Sequence, residues 1–327
     1  MRKKFSGWAN LMGYSIGMAG WSIMINTISV MLVYYYLPPE GSGMPELVPQ
    51  VGIFGILTLF SLIIASGRLI DGITDPLIAW YSDKTITKWG RRIPFMFISV
   101  LPASFFCILL FSPPNPDGGM VNYWWLGGIQ ILFYVFLTLY IVPFNALMPE
   151  LAPDRKQKLL LSTVLSFMFV LGIIIASQIP LISFFIGKIK PGLEESDMFF
   201  YSIVFVVCIA AVFMAIPFFF VDEIKYCEPV PSNINVFRSL KKSLTNRQFL
   251  IFLIADGSFF ITLAIVSTGI LYFVRVLLGL DERFGSLVLI IMILLSFLFY
   301  PVVYKIAVLY GKKKLIIISF FTFALVF

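Results

Sequence analysis

The stretch Arg68–Pro94, RLIDGITDPLIAWYSDKTITKWGRRIP, decides how this chain is interpreted, because it carries ionisable residues into an apolar run. Asp71 and Asp75 are four residues apart and Arg68 precedes Asp71 by three, so a helix would carry all three on one face. A charge at the centre of a bilayer costs at least about 2.5–3.5 kcal/mol. We therefore expect this face to line a wet interior, where charged groups serve a function.

The composition indicates a helical membrane protein. Of the 327 residues, 60% are hydrophobic and 13% are charged, against about 45–50% and 25% in soluble domains. About nine segments are apolar over a length that can span a bilayer. They cover residues 9–37, 50–82, 93–112, 122–148, 159–187, 198–221, 248–278, 284–304 and 314–327. The predicted fold class is an all-α polytopic membrane protein.

The basic residues alternate between the connections, which predicts the orientation of the chain. Lys and Arg precede the first segment and follow the second, fourth, sixth and eighth, whereas the connections at 37–50 and 112–122 hold neither. Cytoplasmic loops carry the excess of Lys and Arg. We therefore expect a multi-pass protein of the cell (plasma or inner) membrane with a cytoplasmic N-terminus. The same pattern attributes the net charge of +7 to orientation in the lipid bilayer rather than to nucleic acid.

The last segment, 314–327, is too short to cross a bilayer. At 1.5 Å per residue it reaches about 21 Å, against a hydrocarbon core of about 30 Å. A chain end inside lipid would leave backbone carbonyl groups without partners. We therefore expect the sequence to be part of a longer chain.

Two similar turns suggest that the chain has two related halves. Gly90 and Gly311 each lie in a basic loop that opens the next apolar segment, after the second and the eighth segment. Two similar halves are a common plan of secondary transporters. The predicted division is an amino-terminal six-helix bundle at 1–221, a cytoplasmic linker at 222–247 and an incomplete carboxy-terminal bundle at 248–327.

The chain offers little to an enzyme. It has no histidine, which removes the commonest general base and the commonest metal ligand. Cys107, Cys208 and Cys227 have no metal-ligand spacing and are interpreted as packing residues. Asp71 and Asp75 lack the neighbouring groups that acid–base catalysis would need. We predict that the protein is not an enzyme, that it needs no cofactor, and that it binds no metal ion beyond Na⁺ at this pair.

The two aspartates leave three interpretations open: ion pairs with Arg68 that hold helices together, an acid–base pair, and a cation site. Two carboxylates at close quarters can hold Na⁺ or share a proton. Pro76 has no N–H, so the carbonyl of Gly72 loses its helical partner beside the pair. That carbonyl is either a further ligand or merely the site of a kink. The cation site is the favoured interpretation.

Polar residues on other segments favour a small polar solute as the substrate. They recur at helical spacing on three segments: Ser22, Asn26 and Ser29; Thr138 and Asn145; Ser162, Ser166 and Ser177. Serines in membrane helices also serve helix packing, which remains the alternative to ligand binding.

Asp83, Arg91 and Arg92 form a further candidate site. Asp83 ends a predicted helix, where the helix dipole disfavours a carboxylate, so it needs a cation. The tight turn at Gly90 can supply Arg91 or Arg92. The cluster is either ordinary topology charge or a cytoplasmic gate that holds one state of an alternating-access cycle.

Two stretches resemble a known family. DGITDPLIAWYSDKTITKWGRRIP, at 71–94, resembles the signature of the glycoside–pentoside–hexuronide:cation symporters, the melibiose-permease relatives within the major facilitator superfamily. VPFNALMPELAPDRKQK, at 142–158, resembles that family's exit from the fourth helix, with Pro143, Pro149 and Asp154 at the expected spacing. The resemblance implies two pseudo-symmetric six-helix halves, of which the second is truncated in this sequence.

The resemblance also implies a cation site. The family's two cation-site aspartates fall on Asp71 and Asp75, and its helix-four threonine falls on Thr138. The neighbouring amide residue of that site falls on Thr74, a change that keeps an oxygen atom. The cation part of the family pattern is therefore largely retained.

The sugar-binding part of the pattern is not retained. The helix-four carboxylate of the melibiose permeases falls on Ile141, their helix-five arginine on Ser166, and their helix-one carboxylate near Ser22. The resemblance therefore implies symport of a substrate other than melibiose. The candidate substrate-binding residues are Ser22, Asn26, Arg68, Asn145 and Ser166.

These observations predict a secondary active transporter that moves a sugar or glycoside together with Na⁺ or H⁺ by alternating access. A lysolipid or another organic solute is the alternative cargo. A non-transporting membrane sensor or scaffold is the alternative outside transport. We expect a monomer.

Overall fold

The structure is a computed structural model that describes residues 7–40, 42–54, 57–227, 244–280 and 283–326. Within these ranges the regular secondary structure is helical apart from one short antiparallel ribbon, β1 (Gly52–Phe54) with β2 (Leu57–Thr58). The helices are α1 Trp8–Tyr36, α2 Leu59–Lys84, α3 Ile93–Leu110, α4 Met120–Leu151, α5 Arg155–Ala176, α6 Ile179–Ile189, α7 Glu195–Ala215, α8 Pro217–Phe220, α9 Glu223–Tyr226, α10 Arg247–Tyr272 and α11 Arg283–Val326. A π-helical turn, Phe273–Leu277, follows α10.

Five stretches of the described chain are long and apolar enough to cross a membrane. They are Trp8–Tyr36, Ile93–Leu110, Met120–Leu151, Leu160–Ile189 and Glu195–Phe220. The helix α2 has spanning length but carries Arg68, Asp71 and Asp75. The prediction of a helical, multi-pass membrane protein is confirmed.

The predicted segment bounds need correction where proline or a cap intervenes. The segment predicted at 50–82 contains the ribbon, and α2 begins only at Leu59, after a capping box between Thr58 and Ser61. The segment at 159–187 is divided between α5 and α6 near Pro180, and the segment at 198–221 between α7 and α8 at Pro217. Proline lacks the N–H that a continuous helix needs.

The separation of the eighth and ninth segments is wrong for this structure. Residues 284–304 and 314–327 were expected to flank a basic loop, but α11 is one helix of 44 residues that runs through Gly311. Lysine is a good helix former, and a single glycine costs only about 1 kcal/mol relative to alanine. The predicted linker at 222–247 lies mostly outside the described residues, so its bounds remain a prediction.

The helix α1 is central to the core. It packs against α5 on one side and α7 on another, while α4 packs against both α2 and α3. The side of the bundle where α1 begins, here the amino-terminal side, also holds the ends of α2 and α4 and the start of α3. On the opposite side Tyr36 donates to the carbonyl of Leu110 at 2.7 Å, and Tyr272 of α10 donates to the carbonyl of Leu37.

The close contact of α1 with α5 depends on Gly172. A Cβ at this position would lie 2.5 Å from Ser22 Cβ and 2.6 Å from the carbonyl oxygen of Ala19. We expect Gly172→Ala to push the two helices apart and to destabilise the fold by about 1–3 kcal/mol. Thermal unfolding of the detergent-solubilised protein measures the effect.

The matched control is Gly128→Ala on α4. Gly128 is exposed, and a Cβ there meets nothing within 4 Å among the described residues. We expect an unchanged or slightly higher unfolding temperature, because alanine favours the helix. Equal unfolding temperatures for the two variants would contradict the tight contact at Gly172.

Candidate functional site

The helices α2 and α4 run parallel and are joined by polar contacts at a constant offset along the chain. Gln130 donates to the carbonyl of Ile63 at 3.2 Å, and the Thr138 hydroxyl donates to Asp71 at 3.0 Å. Both pairs are 67 residues apart. The equal offset means that both helices ascend in the same direction, so α4 presents Gln130, Tyr134 and Thr138 to α2 on one face. We call this contact the α2–α4 seam.

Two of the predicted cation residues meet Thr138 in the seam. Asp71 is half-buried and accepts the hydroxyl of Thr138, which is only 3% exposed. The exposed carboxylate of Asp75 also lies within hydrogen-bonding reach of this hydroxyl. One hydroxyl has one proton but two lone pairs, so it can serve one carboxylate and still offer its oxygen. The structure thus brings three oxygen-bearing side chains together.

The other two oxygen groups named by the sequence are placed differently. The Thr74 hydroxyl donates to the carbonyl of Ile70 at 2.9 Å, within its own helix. The helix continues through Pro76, which has no N–H to donate to the carbonyl of Gly72. No described atom of a neighbouring element lies within 4 Å of a Cβ built on Gly72. This face of α2 is therefore open beside the aspartates.

Arg68 lies on the same helix but does not pair with the aspartates. Its guanidinium donates to the Ser29 hydroxyl at 3.3 Å and lies 5.4 Å from the centre of the Tyr134 ring. Among the ion pairs of the described residues, none joins Arg68 to Asp71 or Asp75. Stacking on an aromatic ring holds a guanidinium without neutralising it. Arg68 therefore retains its charge, and its side chain is exposed.

Ser22 and Asn26 are tied to the helix interface. Ser22 is fully buried, and its hydroxyl donates to the carbonyl of Phe169 on α5 at 2.6 Å. The Asn26 amide donates to the carbonyl of Ser22 at 2.8 Å. This geometry favours the packing interpretation of Ser22 over contact with a substrate. Asn26 is half-buried, with part of its surface accessible.

Asn145 and Ser166 are both exposed. Ser166 donates to the carbonyl of Ser162 at 3.0 Å in its own helix. Ile141, where the melibiose permeases carry a carboxylate, is half-buried and packs against the apolar core. The aspartates and Thr138 therefore form a built cluster. Among the predicted substrate residues, the described structure shows contact only between Ser22 and Asn26, which are neighbours on one helix.

Arg92 joins α2 to α4 at the amino-terminal side of the bundle. Its guanidinium lies 3.0 Å from Asp83 and 2.7 Å from Glu150, and it donates to the carbonyl of Ala146 at 2.6 Å. Burial would lower the pKa of Arg92, but the carboxylates of Glu150 and Asp83 outweigh it and raise that pKa above its usual value. The guanidinium therefore stays charged.

Arg91 belongs to the same cluster through other partners. It lies 3.2 Å from Glu150 and 3.8 Å from Glu223. The sequence therefore predicts the correct turn. It leaves open whether Arg91 or Arg92 pairs with Asp83, and in the structure Arg92 does. We call Asp83, Arg91, Arg92, Glu150 and Glu223 the turn cluster.

Sequence reasoning missed several residues of both sites. Tyr134 was detectable, because it lies four residues before Thr138 on the same face of α4. Glu150 stands inside the quoted stretch at 142–158 but had no assigned role. Glu223 meets Arg92 from 131 residues away, and no local pattern predicts such a pairing.

Comparison with known proteins identifies the family. The family model described as MFS/sugar transport protein matches residues 13–327. The chain belongs to this family. The prediction of a major facilitator superfamily fold is thereby confirmed, and so is the resemblance to sugar–cation symporters at the level of the family.

Individual relatives are distant. The isoprimeverose transporter of Lactiplantibacillus pentosus is 26% identical over 57% of this chain and 36% of its own length. The lactose permease of Leuconostoc lactis is 24% identical over 84% of this chain and 44% of its own length. The sodium-dependent lysophosphatidylcholine symporter 1 of Xenopus tropicalis is 30% identical over 30% of this chain and 19% of its own length. The chain spans less than half the length of each of these three relatives.

Proposed function

We propose that the chain forms part of a secondary active transporter, in which a cation bound at Asp71 and Asp75 drives the movement of a sugar or glycoside. The observation that carries this proposal is the contact of Thr138 with the aspartates across the α2–α4 seam. The proposal involves no catalytic step, and the monomeric state remains a prediction.

The chemistry of the seam suits a hard cation. Carboxylate, hydroxyl and carbonyl oxygens are the ligands that such ions prefer. The oxygens of Asp71, Asp75 and Thr138 are of these types, and so is the carbonyl of Gly72, to which Pro76 cannot donate. Arg68 is engaged by Tyr134 and Ser29, which leaves both carboxylates available. These contacts weigh against the alternative in which the two aspartates serve only to form ion pairs with Arg68. Either Na⁺ or H⁺ is compatible with the donor set.

The substrate is a small organic solute, and the family favours a sugar. Two relatives are named for isoprimeverose and lactose. Arg68, Asn145, Ser166 and Asn26 are the accessible polar groups that we assign to substrate binding. Their hydrogen-bonding capacity matches hydroxyl groups. The alternation of basic connections supports a cytoplasmic N-terminus, which puts the turn cluster on the cytoplasmic side as a gate.

Uptake by reconstituted vesicles tests the proposal. The intact protein is incorporated into liposomes, and accumulation of radiolabelled disaccharides and glycosides is measured with an imposed Na⁺ gradient, with an imposed pH gradient and with neither. The expected result is gradient-dependent accumulation of at least one sugar. Binding without accumulation under any gradient would favour the sensor or scaffold alternative.

A lysolipid is the second candidate cargo, favoured by the relative named for sodium-dependent lysophosphatidylcholine symport. The same vesicles distinguish the two. If lysophosphatidylcholine is transported only when Na⁺ is supplied, and no sugar competes with it, the lipid is the cargo in place of the sugar.

Thr138 provides a graded prediction. Thr138→Val keeps the shape of the side chain but removes the hydroxyl that meets Asp71. A hydrogen bond to a charged group contributes about 1.5–3 kcal/mol, so we expect the apparent cation affinity to fall about tenfold or more. Cation titration of uptake measures it. Thr138→Ser, which keeps the hydroxyl, is the control, and equal affinities in the two variants would remove Thr138 from the site.

A further inference from the structure

The short helix α9 is part of the bundle, although the sequence places it in the linker. Val221 and Cys227, on either side of it, are 5% and 3% exposed and belong to the apolar core. Asp222 caps the helix by accepting the backbone N–H of Lys225 at 3.2 Å. The chain therefore stays attached to the bundle for several residues after α8.

Glu223 of α9 reaches into the turn between α2 and α3. Its Oε2 accepts the backbone N–H groups of Arg92 at 2.8 Å and Ile93 at 3.2 Å. Its Oε1 lies 3.8 Å from the guanidinium of Arg91. The side chain is only 3% exposed. A carboxylate buried this deeply is stable only with such partners.

The carboxylate of Glu223 supplies hydrogen-bond acceptors to the start of α3, which has no side-chain cap of its own. The first N–H groups of a helix have no partner within the helix, and a negative charge is favourable there. Arg92 is the residue before α3, and its own side chain makes no capping bond. Glu223 takes the place of the local cap, and Arg92 keeps its guanidinium for Asp83 and Glu150.

Gly90 fits the same arrangement. A Cβ at Gly90 would lie 2.6 Å from the carboxyl carbon of Glu223, and its φ of +110° lies where other residues are strained. The missing side chain leaves room for the carboxylate, and glycine adopts this positive φ without strain. The turn and the carboxylate are therefore shaped to each other.

We propose that Glu223 is a positioning residue of the gate: it holds the Gly90–Ile93 turn so that Arg92 bridges Asp83 on α2 and Glu150 on α4. This role rests on the proposed transport function. It also makes the segment after α8 a direct part of the gate.

The native thiol of Cys227 reports on this contact. It is 3% exposed, and burial, with Glu150 and Glu223 adding to it, raises its pKa to about 12. It therefore stays protonated near neutral pH and should react slowly while α9 is docked. The assay uses the intact protein in native membranes, with Cys107 and Cys208 replaced and Cys227 retained. It measures the rate at which N-ethylmaleimide labels Cys227.

Three variants grade the effect. Glu223→Ala removes every contact, and we expect labelling about tenfold faster. Glu223→Gln keeps an oxygen that can accept both N–H groups, so its increase should be smaller. Ile224→Ala alters a neighbouring residue that is 58% exposed and should label like the parent. Parental labelling of Glu223→Ala, or equal acceleration by Glu223→Ala and Ile224→Ala, would overturn the proposal.

Two further measurements separate positioning from general stability. A version that retains only Cys107, buried in α3, should label at the parental rate with Glu223→Ala, because only the turn is released. Glu223→Ala and Asp83→Asn together should accelerate Cys227 labelling by less than the product of their separate effects, since both act on Arg92. Fast labelling of Cys107, or fully multiplicative effects at Cys227, would overturn the role. None of these readouts requires transport, so a failure of gradient-driven uptake is distinguishable from a failure of this inference.

Discussion

Asp71→Asn is expected to abolish ion-driven accumulation while leaving the fold intact. Asparagine has the shape of aspartate and can still accept the Thr138 hydroxyl, so the α2–α4 seam should survive. The lost charge removes the strongest attraction for a cation. A charge-assisted contact contributes about 1.5–3 kcal/mol, which corresponds to about 10- to 100-fold in cation affinity. Accumulation in reconstituted vesicles should fall at least tenfold, and Asp75→Asn should change it in the same direction.

Asp117→Asn is the matched control. Asp117 is an exposed carboxylate between α3 and α4, on the side opposite the turn cluster, and the same chemical change there should leave accumulation unaltered. Sugar exchange without an ion gradient tests whether the Asp71 variant remains folded and able to bind. Wild-type accumulation by the Asp71→Asn, Asp75→Asn double variant would eliminate the cation site.

The constant offset along α2 and α4 explains how the two sites are connected. Asp83 and Glu150, which share Arg92, are 67 residues apart, like Asp71 and Thr138. Each helix therefore carries one group of each site, 12 residues apart, or about 18 Å along the helix. Both helices continue without a break over that distance, through Pro76 on α2 and through Pro143 and Pro149 on α4. A cation that draws Asp71 and Thr138 together would therefore also affect the spacing at Arg92. The seam thus links the proposed cation site to the proposed gate through two continuous helices.

Much of this arrangement was predictable from local pattern. The spacing of Asp71 and Asp75 determines that they share a helix face whatever the rest of the chain does, and apolar length identifies the spanning helices. Tyr134 follows from the same rule of helical neighbours. Helix ends were less predictable, because Pro180 and Pro217 divide predicted segments, whereas the stretch around Gly311 remains helical.

Contacts between distant parts of the chain could not be predicted in this way. Whether Arg68 pairs with an aspartate or with Tyr134 depends on how α4 is rotated against α2, and periodicity does not contain that angle. Ser22 has the spacing of a cavity residue, yet the absence of a side chain at Gly172 allows α5 to cover it. Glu223 and Arg92 meet only because α9, 131 residues further along the chain, lies beside the turn between α2 and α3.

The second large effect is expected at Arg92. The guanidinium is 7% exposed and holds two carboxylates that are themselves 30% and 24% exposed, Asp83 and Glu150. Breaking a buried ion pair costs about 3–5 kcal/mol, and solvent around the two acids reduces that figure. Arg92→Gln should still shift the balance toward the cytoplasm-open state by tenfold or more, since about 1.4 kcal/mol is sufficient for that.

Asp83→Asn should have a smaller effect than Arg92→Gln, because Arg92 keeps Glu150 and the carbonyl of Ala146. A cysteine introduced as Ser166→Cys, an exposed position on α5, measures the difference as the rate of labelling by an impermeant maleimide from the cytoplasmic face. The exchange Asp83→Arg with Arg92→Asp should recover only part of the wild-type rate, since an aspartate at 92 would face Glu150. Wild-type labelling rates in Arg92→Gln would reduce the turn cluster to topology charge.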